Sequence, residues 1–426
     1  MTPCPEFAAF IGIDWADQKH DVCWLPARGE TPQACVLKHQ PAEIAAWVAE
    51  LRQRSGGRPI AVCLEQSRGA LISALLQYDF LVLFPLNPKQ LAAYREALAP
   101  SGAKDDSTDA ELLARFLRDH HRQLRPWRPD DELTRSLRLL TEQRRRWVED
   151  RVGLGNELLQ RLKEGYWLAL QFQGAELYSE QFLAFLAQFP SQRELQRASP
   201  KQLARWLPKR RRVADDPPAE EILRTQIASV RAALPMTKDA AVLTANRLAV
   251  VHLVVVLRHL NQAIEDCEQK IAELLAQHPE AQLFASFPGA GPALVPRLVA
   301  AFGTDREKFS SAQDIQQLSG IAPVTKRSGK TQVVHMRWAC PKFLKQTFHE
   351  YARCSALYSP WAKAYLAMLK ARGHGYQEAI RSLAFKWQRI MFRCWQTRQP
   401  YNEDRYLQQL RDKRSPLLAY LPTHPL

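Results

Sequence analysis

The chain has 426 residues, 46% of them hydrophobic, enough for two or three domains with real cores and too apolar for a disordered tail. Lys and Arg outnumber Asp and Glu by 59 to 44, a formal charge of +15 with a sequence pI near 9.6, which calls for a polyanionic partner, nucleic acid first. The longest apolar run, Leu248 to Leu257, is broken by His252 and falls short of the ~18 residues a membrane span needs, so none is expected.

Two further classes are excluded by pattern. Met1 to Glu6 lacks a basic segment followed by an apolar core, so no signal peptide is expected. The eight cysteines are scattered, without a C-x-x-C pair or a histidine at zinc spacing, and read as reduced, mostly buried thiols of a cytoplasmic protein.

Ala9 to Trp15 is a short apolar run that delivers Asp14 at the end of a buried strand. Lys19 to Leu25 and Gln33 to Lys38 alternate and complete a three-stranded meander. Pro41 to Arg54 has helical periodicity and stops at Gly56-Gly57. Pro59 to Leu64 is a continuous apolar strand, and Glu65 is the first polar residue after it. Leu71 to Tyr78 is helical, Phe80 to Phe84 is another buried strand, and Pro88 to Leu98 is helical again. From Thr108 an amphipathic helix is expected, with Leu112, Leu113 and Phe116 as its apolar stripe and Ser107 or Thr108 as N-cap.

This order is that of an RNase H-like α/β domain, in which the first and fourth strands are neighbours. Asp14 and Glu65 would then lie side by side, and the helix carrying Asp106 and Asp109, three residues apart, would close the site. Four carboxylates at one point repel unless cations neutralise them, and oxygen-only ligands suit Mg²⁺ or Mn²⁺. Other roles stay open for each acid. Asp14 can begin a turn with Asp17, Glu65 can cap the next helix, Asp105 can replace Asp106 as ligand, and acids at a helix start also favour the dipole.

Past the Pro- and Arg-rich join at His120 to Asp131, Leu137, Leu140, Trp147, Leu154 and Leu158 mark an imperfect coiled-coil helix with Arg144 and Arg151 at two seam positions. A second runs through Val250, Leu253, Leu257, Leu260, Ile264, Cys267, Ile271 and Leu274. They pair either within one chain or between two. Short helices lie between them, one capped by Ser199 with Pro200 in its first turn, followed by the basic cluster Lys209 to Arg212.

Phe287-Pro288-Gly289-Ala290-Gly291-Pro292 is a Gly-x-Gly turn between helices. Gly289 and Gly291 would let backbone N–H groups approach a phosphate, although a tight turn without a ligand is the commoner outcome. In the next motif, Ser328 stands among Lys326, Arg327 and Lys330 with Gly329 allowing close approach. That is a good place for a phosphate, where the hydroxyl either donates a hydrogen bond or attacks phosphorus. Toward the C-terminus Arg381, Lys386, Arg389 and Arg393 interleave with Phe385, Trp387, Phe392 and Trp395. This mixture suits nucleic acid, although aromatics at helical spacing are more often core.

Together the Ile-Gly-Ile-Asp-Trp start, the Glu65 strand, Lys104-Asp105-Asp106-Ser107-Thr108-Asp109-Ala110, the Pro-Gly-Ala-Gly-Pro turn and the Ser-Gly-Ile-Ala-Pro and Ser-Gly-Lys segments resemble the IS110/IS1111 insertion-sequence transposases, the DEDD recombinases. The resemblance implies a RuvC-like catalytic domain over residues 1–130 whose metal-binding tetrad is Asp14, Glu65, Asp106 and Asp109. It implies a coiled-coil helical insertion over 131–280 and a mainly helical transposase domain over 281–426, with a helix-hairpin-helix-like turn and Ser328 as nucleophile. Members cut and rejoin DNA through a phosphoserine link, assemble as dimers into a tetramer, and take target and donor choice from a bridge RNA, working at the nucleoid of the bacterial cytoplasm. A metal-dependent, Holliday-junction-type nuclease with water as nucleophile, or a non-catalytic nucleic-acid-binding protein, are the alternatives.

Overall fold

A computed structural model describes residues 6–29, 31–65, 69–98, 106–174, 176–207, 218–329 and 331–421, and of residues 97, 98, 106–108 and 219 the backbone alone. The chain divides into two compact units, Met1–Pro129 and Asp130–Leu426.

The first unit is a five-stranded mixed sheet. Strands β1 (Ala9–Asp14), β2 (Lys19–Pro26) and β3 (Gln33–Lys38) form the antiparallel meander, and β4 (Ile60–Leu64) and β5 (Leu81–Pro85) add in parallel to β1, giving the order β3-β2-β1-β4-β5. The first and fourth strands are therefore neighbours, as expected. Strand alternation divides the sheet into two faces. On one, Ile11, Ile13, Val22, Trp24, Val62 and Leu64 pack against helices α1 (Pro41–Ser55) and α2 (Ala70–Leu75). On the other, Phe10, Cys23, Leu25, Ala61, Cys63 and Phe84 pack against α4 (Asp106–His120) and Leu91 of α3 (Pro88–Leu98). Helix α4 already includes Asp106, where the described residues resume, so Ser107 and Thr108 lie within it rather than capping it.

The second unit is helical apart from one hairpin. Helices α5 (Glu132–Gly165) and α10 (Ala240–Gln277) are the two heptad helices, and they pair antiparallel within the chain. Thr134 meets His278, Arg144 Nε donates to Glu268 at 2.7 Å, Arg151 donates to Asn261 at 3.0 Å, and Gly165 abuts Asn246. Partner numbers rise along one helix as they fall along the other. In this structure the pairing is therefore made within the chain, and it gives both seam arginines a polar partner on α10.

Far from the pair's base, Leu158, Leu162, Val250, Leu253 and Leu257 share a core with helices α6 (Glu180–Gln188), α7 (Gln192–Arg197), α8 (Pro200–Trp206) and α9 (Ala219–Ala232). Ser199 caps α8 in a reciprocal box with Gln202. The basic cluster Lys209–Arg212 lies outside the described residues.

At the base, Leu137 and Ile271 join the core of α11 (Ala281–Ala285), α12 (Val295–Phe302), α13 (Ala312–Leu318), α14 (Lys342–Tyr358), α15 (Pro360–Ala371) and α16 (Tyr376–Thr397), with α17 (Glu403–Asp412) against it. Trp361, Trp387 and Trp395 are wholly buried there, and half-buried Phe385 and Phe392 pack against the same core, so the interleaved aromatics of α16 are engaged in packing.

Among the described residues α10 is, by length and composition alone, long and apolar enough to cross a membrane, with an 18-residue stretch of mean hydropathy 2.0. Counting uninterrupted apolar residues missed it because His252 breaks the run without lowering the average much. In the structure Val250, Leu253 and Leu257 of that stretch are buried against protein.

Candidate active site

Gly12 sets the position of α4. A Cβ there would stand 1.9 Å from the Ala110 carbonyl oxygen and 2.6 Å from the Ala114 nitrogen, so the helix backbone rests directly on β1. Asp14, two residues further along the strand, points to the same face. In the parallel pair Ile13 is level with Leu64, so Glu65 follows Leu64 beside the point where Asp14 follows Ile13. Alternation from Ala61 and Cys63 continues to that face for Glu65. Asp109, buried, precedes Ala110 on the covering helix. Three of the four expected acids are thus carried to one end and one face of the sheet. The backbone of Asp106 opens the same helix, while its side chain, and all of Asp105, lie outside the described residues.

The structure adds groups that the sequence reading missed. Asp21 pairs directly with Asp14 across β1 and β2, and cross-strand partners share a face. Arg95 of α3 donates from Nη2 to Asp109 Oδ1 at 2.5 Å, supplying positive charge to the buried carboxylate. Behind the turn that follows Asp14, buried His20 accepts from the Ala16 N–H through Nδ1, which leaves its Nε2 as donor to His39 Nδ1 at 2.8 Å. Burial, and next the neighbouring His39, hold His20 below the usual histidine range, and the two rings clasp the turn. None of these three contacts has a periodic signature, and Arg95 and Asp109 sit on different helices.

Among the described residues, no three His, Cys, Asp or Glu side chains stand close enough to hold a metal ion between them. The chemistry of the donor set still fits a hard cation. Asp14, Glu65 and Asp109 offer only oxygen. The nearby thiols are unsuited: burial, then the charge of Glu65, pushes Cys63 up to about 12, and burial, then Glu111, pushes Cys23 up to about 11.

In the second unit Ser328 ends β6 (Val324–Ser328), which pairs antiparallel with β7 (Thr331–His335) in a separate two-stranded sheet. The Ser328 motif is thus carried by a β-hairpin, with Ser328 opposite Thr331. Gly329 takes φ +55°, and Lys330 lies outside the described residues. The pleat separates the two basic neighbours of the serine. Lys326 shares a face with Ser328, whereas Arg327 points to the opposite face and donates to Gln332 at 3.0 Å.

The Gly-x-Gly turn is explained by packing. Gly289, at φ +78°, has the backbone of Cys354 and Ser355 in α14 where a Cβ would lie, at 2.9 to 3.0 Å. The N–H groups of Ala290 and Gly291 are bonded within the turn, to Phe287 and Gly289 carbonyls at 3.1 Å. Gly291 itself has open space around it.

Comparison with known proteins matches this anatomy. Residues 11–167 fit the IS110-type DEDD model, described as a transposase, and residues 281–367 fit the model of the IS116/IS110/IS902 transposase family, together more than half of the chain. The mini-circle transposase assigned to IS117 in Streptomyces coelicolor is 28% identical over 405 residues, covering 93% of this chain and 96% of that one. A 44.8 kDa protein of insertion element IS116 from Streptomyces clavuligerus is 28% identical over 384 residues, 88% of this chain and 91% of its own. A 42 kDa protein of insertion element IS900 from Mycobacterium paratuberculosis is 28% identical over 285 residues, 66% and 68% of the two chains. With family models and relatives matching through both units, the chain belongs to the IS110/IS116 family of insertion-sequence transposases.

Proposed function

We propose that this transposase cuts and rejoins DNA strands using Asp14, Glu65, Asp106 and Asp109 to hold divalent cations and Ser328 as the attacking nucleophile. The observation that carries the acid half is the strand register, which sets Asp14 and Glu65 at adjacent strand ends on the face that α4 covers with Asp109. Bound Mg²⁺ or Mn²⁺ would polarise the scissile phosphodiester and stabilise the charge that develops on its oxygens. Asp14 and Glu65 contribute fixed negative charge from rigid strand ends, and Arg95 balances Asp109. Ser328 Oγ forms a bond to phosphorus as one backbone P–O bond breaks. The products are a phosphoserine link and a DNA hydroxyl that takes up the serine proton. Lys326, on the same face of the hairpin, stabilises the added charge.

The proposal extends to an element-encoded bridge RNA that selects target and donor and to assembly of dimers into a tetramer, acting on DNA in the cytoplasm. A charge of +15 supports a polyanionic partner. Incubating the full chain with its element's DNA ends and Mg²⁺ tests the chemistry. A DNA adduct that survives denaturation should form, vanish in Ser328→Ala, and fall roughly a hundredfold or more in Asp109→Asn. Cleavage without an adduct makes water the nucleophile and the chain a metal-dependent nuclease. Full activity in Asp109→Asn removes the metal role. The guide predicts co-purifying nucleic acid that ribonuclease destroys, and full recombination by RNA-free protein would refute it.

A further inference from the structure

The hairpin of β6 and β7 has no core of its own. Every residue of β7 is exposed, as is every residue of β6 except Val324, which is half-buried, and Val333 and Val334 are exposed by 43% and 58%. An isolated two-stranded ribbon is marginal in water unless something packs on it. From residue 315 to 349 the sequence has six Lys or Arg and no Asp or Glu, so the complementary occupant is a polyanion.

Shape distinguishes among polyanions. Paired strands lie about 4.8 Å apart, and such a ribbon enters the B-DNA major groove, about 12 Å wide. It does not enter the deep, narrow major groove of A-form RNA. The two faces differ in chemistry. One carries Lys326 and Ser328, and the other carries Thr325, Arg327, Gln332 and Val334, with Arg327 and Gln332 held together by their hydrogen bond. The second set is the set that reads base edges: Arg to guanine, Gln to adenine, and methyl groups to thymine.

We propose that the Val324–His335 ribbon enters the major groove of duplex DNA with its Thr325, Arg327, Gln332 and Val334 face toward the bases, a sequence-reading contact made by the protein itself. This rests on the reading that the chain processes DNA. Binding of the full chain is measured on a mixed-sequence duplex DNA and on duplex RNA of the same sequence, and base preference by selection from a randomised duplex pool. The Arg327→Ala/Gln332→Ala variant changes two exposed side chains, and circular dichroism checks its fold. It should bind DNA roughly tenfold more weakly, bind RNA as before, and lose preference at one or a few base pairs. Methyl green, which fills the major groove, should displace the native chain, and netropsin, a minor-groove ligand, should not.

Unchanged DNA affinity in the double variant, as a protein occupant of the ribbon would give, overturns the proposal. So does an equal loss on RNA, or displacement by netropsin alone. Ser328→Ala separates the two readings. If the serine is not the nucleophile, that variant still shows groove binding and base preference. If the ribbon does not read bases, the covalent adduct still forms in the Arg327→Ala/Gln332→Ala protein.

Discussion

Gly12 lacks a Cβ where one would stand 1.9 Å from the Ala110 carbonyl oxygen, and the obstructing atoms are helix backbone, which cannot rotate aside. Gly12→Ala therefore forces α4 off β1 and moves Asp109 away from the strand end that carries Asp14. A cost of about 1–3 kcal/mol is expected in chemical denaturation, the range for overpacking a filled site, together with loss of strand cleavage. Gly153, in the middle of α5 with open space around it, is the control. Gly153→Ala should stabilise by roughly 0.5–1 kcal/mol, because alanine loses less backbone entropy in a helix. Equal effects of the two substitutions would mean that Gly12 does not set the helix position. At this scale the sequence showed Asp14, Glu65 and Asp109 because each lies at the edge of an apolar pattern. It did not show Arg95 or Asp21, whose partners are supplied by a neighbouring helix and a neighbouring strand.

Elements were legible where burial follows a period. The interior strand β4 is a continuous apolar run because both of its faces are covered, and Glu65 marks its end. The heptads of α5 and α10 announced two long helices but not their pairing, since the same apolar seam serves an intrachain or an interchain partner. The β6–β7 hairpin carries no such mark, because its strands bury almost nothing and no alternation of apolar and polar residues runs along them. On α10 the seam and the exposed side can be told apart by substitution. Leu257 is wholly buried, and Leu257→Ala should cost about 2–5 kcal/mol in urea unfolding. Val255 is 59% exposed, and Val255→Ala should stay within about 0.5 kcal/mol. If Val255→Ala were the costlier change, the packed face of α10 would be misassigned.

Over the whole molecule, ionisable groups on different elements share one response to acid. His20 in the first unit and His278 and His349 in the second are each held below their ordinary value of 6.5, in every case chiefly by burial. For His20 the nearby His39 adds to the effect, and for His349 Arg381 does, while Asp131 and Glu280 partly oppose it at His278. Below about pH 6.5 the unfolded chain takes up protons that these folded histidines resist, so stability is full above that value and declines as pH falls through the depressed folded values. Asp131 continues the trend at lower pH. Its burial is outweighed by hydrogen bonds from Thr134 and Thr304, which hold it below its ordinary 3.8, so acid also removes the stabilisation it provides. Urea midpoints measured from pH 7.5 downward should therefore fall in two stages, the first beginning near pH 6.5. His278, buried and bonded to Thr134 at the base of the long helix pair, is the group to change. His278→Gln, which can keep a hydrogen bond to Thr134 and carries no titrating ring, should flatten part of the first stage and leave the second. A first stage of unchanged size in that variant would mean that His278 takes up its proton equally well in the folded and unfolded chains.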